Sequence, residues 1–342
     1  MNRNGQPDVS VLIAAHNESA NIEVCVRSVL GCAGPDSFEV VVVDDGSTDD
    51  TASIVASLAD SDGRVRLVSQ KQSGKGCALN SAMRFARGVT CLVTDGDCRV
   101  PSSWVLGMAS ELERVDLVYG TFRLWDTPSD GGLWLKVQEA KLRVKFGSGA
   151  PRVFSPVGAS MGFKRVVWED IGGFAENGTG ADRDFGERAL KRDWLVSSSL
   201  ADHSRVLTQG SRTYWGFLRQ ALRWRNVRGL RNLCGGSWPG WEQAVALVYA
   251  SGVSLAFLLW TTGCLVTGSW AALGLGVLGV VWVDLFAYAK PLIRLATRSE
   301  TRMWPLYFLG WVVCMLPVRL CEIPYVVVRL VRGVEPVWER ER

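Results

Sequence analysis

The stretch LVTDGDCRV, residues 92–100, sets two carboxylates, Asp95 and Asp97, at the end of an apolar run with only Gly96 between them. Like charges this close repel unless something positive lies beside them. A divalent cation with a phosphate on its far side would meet that need. Hard ions such as Mg2+ or Mn2+ take oxygen ligands, commonly one or two carboxylates plus substrate phosphate. One aspartate would then face the metal and the other a ribose hydroxyl; a solvated acidic turn is the plainer alternative. VVDDGSTDD repeats the pattern, with Asp44 and Asp45 following an apolar run. A carboxylate there, Asp45 preferred, can accept the N–H of a uracil ring, or it can simply favour the dipole of the helix that follows.

Three further segments carry candidate chemistry. SGKGCALN holds Lys75 between glycines. It is not a Walker loop, because the upstream Gly is missing and Gly76 stands where Ser or Thr belongs. Lys75 either meets a diphosphate or is an ordinary surface lysine. No G-x-G-x-x-G follows a strand, which disfavours a dinucleotide enzyme. In GADRDFGERALKRD, Asp182 stands at a helix start after a Gly-rich turn. It suits a general base that takes a proton from an acceptor hydroxyl, and equally an N-cap. In RQALRWRNVRG, Gln220 and Arg223 share a helix face. Arg223 can grip a diphosphate with paired hydrogen bonds and the Trp224 indole can stack on a sugar ring. The competing reading is an interfacial amphipathic helix.

These residues need a scaffold that gathers them. VSVLIAA, FEVVVV, RVRLVSQ and VTCLVTDGDCRV read as buried strands. Helices are expected from Asn21 to Leu30, after a cap at Ser47 or Thr48, and along GKGCALNSAMRFARG to a stop at Gly88. Short apolar strands alternating with helices predict an α/β fold, a mostly parallel sheet covered on both faces. Ligands in such sheets bind beyond the carboxyl ends of the strands. His16, Asn17 and Glu18, then Asp44 and Asp45, then Asp95 and Asp97 all fall at such ends. Further on, strands are expected around Leu117–Leu124, a helix around Leu133–Phe146, a loop or strand through SPVGASMGFKR and a helix from about Asp182.

The chain has 342 residues and a formal net charge of +4, too little for a general nucleic-acid binder. Its nine cysteines form no C-x-x-C pair, so neither a zinc site nor a redox motif is indicated, and a reduced, cytoplasmic setting fits. The polar start MNRNGQPDVS has no apolar signal core. Ala244 to Gly268 is uncharged, and Trp270 to Ala289 carries only Asp284. Each is long enough to cross a bilayer as a helix of ~20 residues. Basic residues on both flanks place both ends at the cytoplasmic face. A third block, Trp304 to Val328, either spans with Arg319 and Glu322 paired one turn apart or turns back. The expected organisation is a cytoplasmic catalytic domain over 1–215, an interfacial segment over 216–242 and an α-helical membrane region over 243–342.

Taken in order, AAHNES, VVVDDGSTD, GKGCALN, TDGDC, IGGF, ADRDFGERAL and QALRW resemble glycosyltransferase family 2, and in particular its membrane-bound hyaluronan, chitin and cellulose synthase types. The resemblance covers about residues 9–225 and implies a GT-A fold. It implies donor contacts from Ala14, His16, Glu18, Asp45, Lys75, Asp95 and Arg223, a Mg2+ or Mn2+ ion on Asp95 and Asp97, Asp182 as base, and acceptor contacts from Gln220 and Trp224. Two departures stand out. Ala181 occupies the place of the family's usual Glu, and the membrane region is short for a polymer channel.

The expected reaction is metal-dependent inverting transfer of a hexosyl or N-acetylhexosaminyl group from a nucleotide-diphosphate-sugar, a UDP-sugar first, to a growing glycan at the cytoplasmic face of the cell membrane. A single addition to a lipid-linked acceptor is the alternative. An inactive nucleotide-sugar-binding membrane scaffold is the alternative of another class. Membrane lipids and a second copy of the chain are the further partners expected, and nucleic acid is not one.

Overall fold

The structure is a computed structural model, and it describes residues 7–33, 38–125, 133–146, 157–176 and 180–211 together with 213, 215, 216 and 268. Of these, the residues up to Trp125 and from 157 to Gln209 belong to one compact unit. The helix α5 (Leu133–Phe146) and residues from Gly210 onward belong to a second.

In the first unit, β1 (Val9–Ala15), β2 (Phe38–Asp45), β3 (Val65–Gln70) and β4 (Thr90–Asp95) lie parallel in the order β3-β2-β1-β4. The sheet continues through β8 (Met161–Lys164), antiparallel to β4. Next come β6 (Leu117–Tyr119), antiparallel to β8, and β9 (Val196–Ser198), parallel to β6. A second sheet joins β5 (Cys98–Arg99), β10 (Arg205–Thr208) and β7 (Thr121–Leu124). The helices are α1 (Ile22–Leu30), α2 (Thr51–Ser61), α3 (Lys75–Phe85), α4 (Trp104–Glu111), α6 (Arg165–Ile171) and α7 (Ala181–Lys191).

Successive strand side chains point to opposite faces, and this alternation builds two cores. Val11, Ile13, Val40 and Val42 pack against Val26 of α1, Val55 of α2 and Trp104 of α4. Leu12, Ala14, Val41 and Val43 pack on the other face against Leu79 and Met83 of α3, Val167 of α6 and Phe185 of α7. Both faces of β1 and β2 are therefore buried, and that is why these strands read as mostly apolar runs, broken by Ser10 and Glu39, which bond each other at 2.8 Å.

Several boundaries differ from the sequence reading. The helix expected to be capped at Ser47 or Thr48 begins at Thr51. The earlier residues are spent on the neighbouring loop. The Asn17 amide donates to Ser47 Oγ, and the Thr48 amide donates to Asn17 Oδ1. Asp49 accepts from the amides of Ser19 and Thr51. The run VTCLVTDGDCRV is two strands, because β1 ends at Ala15 and β4 pairs with it only as far as Asp95; beyond Gly96 the chain enters the second sheet. The stretch 117–124 likewise divides between the two sheets. Helix α3 stops at Phe85, short of Gly88. The elements α4, α6, β9 and β10 were not expected. Among the described residues no helix is long and apolar enough to cross a membrane. Apart from Gly268, the candidate spans at 244–268, 270–289 and 304–328 lie outside the described residues.

Three motifs are joined by packing. Asn80 of α3 donates to the Phe174 carbonyl and accepts from the Phe174 amide, at 3.0 and 2.8 Å. Arg188 of α7 donates to the carbonyls of Ile171 and Gly173 and to the Asp184 carboxylate. Phe163, Phe174 and Phe185 stack in one cluster, with the last two centroids 4.4 Å apart. The GKGCALN helix, the IGGF turn and the ADRDFGERAL helix are thus one body.

Two predictions follow from these contacts. A Cβ on Gly76 would lie 1.9 Å from the Ala175 carbonyl oxygen. Gly76→Ala is expected to destabilise by about 1–3 kcal/mol, read as a lowered urea midpoint; an unchanged midpoint would contradict the close approach. Burial alone would raise the Asp49 carboxyl, but hydrogen bonds from Thr51 and Ser19 outweigh it and bring the value down from 3.8 to about 2. A depressed folded value gives stability that is full above 3.8 and is lost as pH falls towards about 2. Asp49→Asn is expected to cost on the order of 1 kcal/mol near neutrality, with the gap to wild type narrowing in urea melts at about pH 3. A gap that widened in acid would contradict this.

Candidate active site

The ends of β1, β2 and β4 are tied side to side. His16 Nδ1 lies 2.9 Å from the Asp45 carbonyl oxygen, and its other ring nitrogen faces Gln72 at 3.1 Å. Asp45 is fully buried. Its Oδ1 accepts from Gln70 Nε2 and the Ser73 amide, and its Oδ2 from the Gly74 amide at 2.8 Å. A buried carboxylate must be satisfied in this way or be costly. Here it fastens the loop that delivers Lys75.

The Lys75 ammonium donates to Asp95 Oδ1. Burial works against its positive charge, yet attraction to Asp95 and then to Asp182 outweighs that and holds the lysine above its ordinary value. The Lys75 ammonium is thus paired with Asp95 at the sheet edge and lies in the field of Asp182 from α7. Asp182 is half-buried, and its Oδ2 accepts from the Gly158 amide at 2.8 Å.

Asp97 is buried beside Asp95, and Thr208 Oγ1 of β10 donates to it at 3.4 Å. Ligand atoms of Asp95, Asp97 and Cys98 all lie within 4.8 Å of one another, the one such group among the described residues. Burial first, then the charges of Asp97 and Asp95, push the Cys98 thiol well above its usual value. Without a bound ion Cys98 is a protonated thiol, and soft sulfur is not the donor that hard cations select. What remains is a pair of carboxylates, an oxygen donor set that fits Mg2+ or Mn2+.

The other expected residues are placed as follows. Ala14 packs its side chain into the core, opposite Asp95 in the β1–β4 register, so only its main chain is at the edge. Glu18 is buried, accepts from Asn21 Nδ2 at 3.2 Å and has its Cγ beside Gly96. Gln220, Arg223 and Trp224 lie outside the described residues. Asp184 bonds Arg188 at 2.7 Å rather than facing Lys75. Tyr119, Gly158 and Thr208 were not anticipated; the only trace of them in the sequence is a polar-tipped aromatic followed by Gly at a strand end, and the small residues of SPVGAS. A cavity of about 590 Å3 lined by Gly107, Glu111, Arg114 and His203 lies elsewhere, and none of the expected residues lines it.

By fold, the chain is similar to a mannosyltransferase from Pyrobaculum calidifontis solved in complex with GDP-Man and Mn2+. The TM-score is 0.58 at 18% identity, covering 98% of this chain and 88% of that one. The fold is thus α/β and GT-A-like. The chain is 35% identical over 118 residues to glycosyltransferase AglE of Haloferax volcanii, 33% of this chain and 39% of that protein. It is 44% identical over 91 residues to chondroitin synthase of Escherichia coli, 27% and 13% of the two chains. It is 26% identical over 227 residues to beta-monoglucosyldiacylglycerol synthase of a Nostoc species, 64% and 48%. The chain thus spans less than half the length of each of these relatives. The profile of glycosyl transferase family 2 matches residues 10–195, which is more than half of the sequence and includes Asp45, Lys75, Asp95, Asp97 and Asp182. The chain belongs to glycosyl transferase family 2.

Proposed function

We propose that the chain is an inverting glycosyltransferase that moves a sugar from a nucleotide-diphosphate-sugar, a UDP-sugar first, to a growing glycan at the cytoplasmic face of a membrane. The observation that carries this reading is the Lys75 ammonium held against Asp95 with Asp182 in its field. In this reading Asp95 is a donor-side group and Asp182 the base, with Lys75 bonded to the first and in the field of the second.

Asp182 is the base. With Oδ2 held by the Gly158 amide, its other oxygen takes the proton of the acceptor hydroxyl. The new bond from the acceptor oxygen to the anomeric carbon forms as the bond to the nucleotide diphosphate breaks, the proton passing to Asp182, with no covalent intermediate. Asp95 and Asp97 would hold a Mg2+ or Mn2+ ion, which supplies Lewis-acid stabilisation of the departing diphosphate when bound. Lys75, and Arg223 with it, would add positive charge at the same phosphates. Asp45 holds the loop bearing Lys75; any uracil N–H would join an already occupied carboxylate. Gln220 and Trp224 would meet the acceptor sugar. The apolar blocks after residue 243 would keep acceptor and site together at the lipid surface.

A second reading, one sugar added to a lipid acceptor, is favoured by the similarity to beta-monoglucosyldiacylglycerol synthase, which runs over 64% of this chain. Incubating membranes with labelled nucleotide-sugars and sizing the product decides: a ladder or high polymer supports the first reading, a single addition the second.

Asp182→Asn is expected to keep UDP binding and lose transfer, and EDTA to abolish transfer until Mg2+ or Mn2+ is returned. Full turnover in the variant or in chelator would contradict the assignments. Lys75 and a divalent cation compete for the same Asp95 oxygen. In the absence of nucleotide, Lys75→Met is therefore expected to tighten Mn2+ binding roughly tenfold, equivalent to about 1.4 kcal/mol. The Mn2+ paramagnetic resonance signal reads this directly, and unchanged or weaker binding would show that the ammonium does not oppose the ion.

A further inference from the structure

Asp182 is held from outside its own helix by two residues that no motif marks. Gly158 donates its amide to Asp182 Oδ2 at 2.8 Å. Tyr119 donates its hydroxyl to the Asp182 carbonyl at 2.6 Å. Tyr119 is completely buried at the end of β6, and Gly158 lies just ahead of β8, the strand that pairs with β6 at Tyr119 and Met161. Both anchors therefore spring from the sheet.

An aspartate that served only as a cap would turn its carboxylate onto the first amides of its own helix. Helix α7 has no such side-chain cap; it is preceded by Gly180, and the Asp182 carboxylate reaches across to Gly158 instead. The approach requires that residue 158 have no side chain. A Cβ there would lie 2.9 Å from Asp182 Oδ2 and 3.0 Å from its Cβ. The other end of α7 is fixed separately, by Arg188 on the Ile171 and Gly173 carbonyls and by Phe185 in the aromatic cluster. The contacts at Asp182 are thus not needed to hold the helix down.

We infer that Tyr119 and Gly158 are positioning residues for the base. The hydroxyl fixes the main chain at Asp182 and the amide fixes one carboxylate oxygen, so that the second oxygen is presented to the acceptor hydroxyl at a set angle. The inference rests on Asp182 being the base. Displacement of a reacting group by about 1 Å can cost about a hundredfold in rate.

The test uses the full chain in membranes, with labelled UDP-glucose and UDP-N-acetylglucosamine as donors, and compares Tyr119→Phe, Gly158→Ala and Asp182→Asn. Expected are a kcat at least about tenfold lower for Tyr119→Phe and Gly158→Ala, with donor KM and the Kd for UDP within about twofold of wild type. A fall in kcat with donor KM and UDP affinity unchanged is a split that a merely structural role would not produce. Tyr119→Phe removes a single oxygen atom and decides the matter if Gly158→Ala melts early. Wild-type kcat in both variants while Asp182→Asn is inactive would overturn the positioning role and leave the base in place. So would a loss of kcat matched by an equal loss of UDP affinity. Wild-type kcat in Asp182→Asn would overturn the base itself, and the positioning role with it.

Discussion

Carboxylates from separate parts of a chain do not gather at one sheet edge unaided. Asp95 comes from the end of β4 and Asp182 from the start of α7, and like charges brought near each other repel. The Lys75 ammonium resolves the conflict. It is bonded to Asp95, it lies in the field of Asp182, and both acids raise its hold on its proton against the cost of burial. Remove that positive charge and the edge becomes an uncompensated acidic cluster; supply a stronger one and the lysine is released towards whatever anion arrives. The rest of the site depends on that ion pair.

Much of the surrounding structure serves to bring Lys75 to its place. Asp45 spends both carboxylate oxygens on the loop before α3. Gly76 allows α3 to lie against the main chain at Ala175, and Asn80 bonds the Phe174 peptide on both sides. Arg188 then joins the same turn to α7, the helix that begins at Asp182. The motifs are far apart in sequence, yet each contributes the hydrogen bond that fixes the next. This gives a physical reason for their order and for the glycines on both sides of Lys75.

The parallel half of the sheet was legible in the sequence because β1, β2 and β4 are buried on both faces, and such strands are mostly apolar. Their polar ends were legible for the same reason: Asp45, Asp95 and Asp97 follow runs in which polar residues are few. Short β9 and β10 were not, since three or four residues of mixed burial carry no periodic signal. Nor was the helix start after Asp45, where Ser47 and Thr48 look like caps but bond the Asn17 loop. Tyr119 and Gly158 escaped notice because their work is done by a hydroxyl and an amide meeting across the fold, a relation that no local pattern encodes.

The most direct test of this account is a crystal structure of the chain with Mn2+ and UDP, with the ion located by its anomalous scattering. The account places the metal peak on Asp95 and Asp97, with the Lys75 ammonium moved onto the diphosphate and Asp182 facing the same cavity. A peak away from both aspartates, or a diphosphate bound out of reach of Lys75, would contradict it.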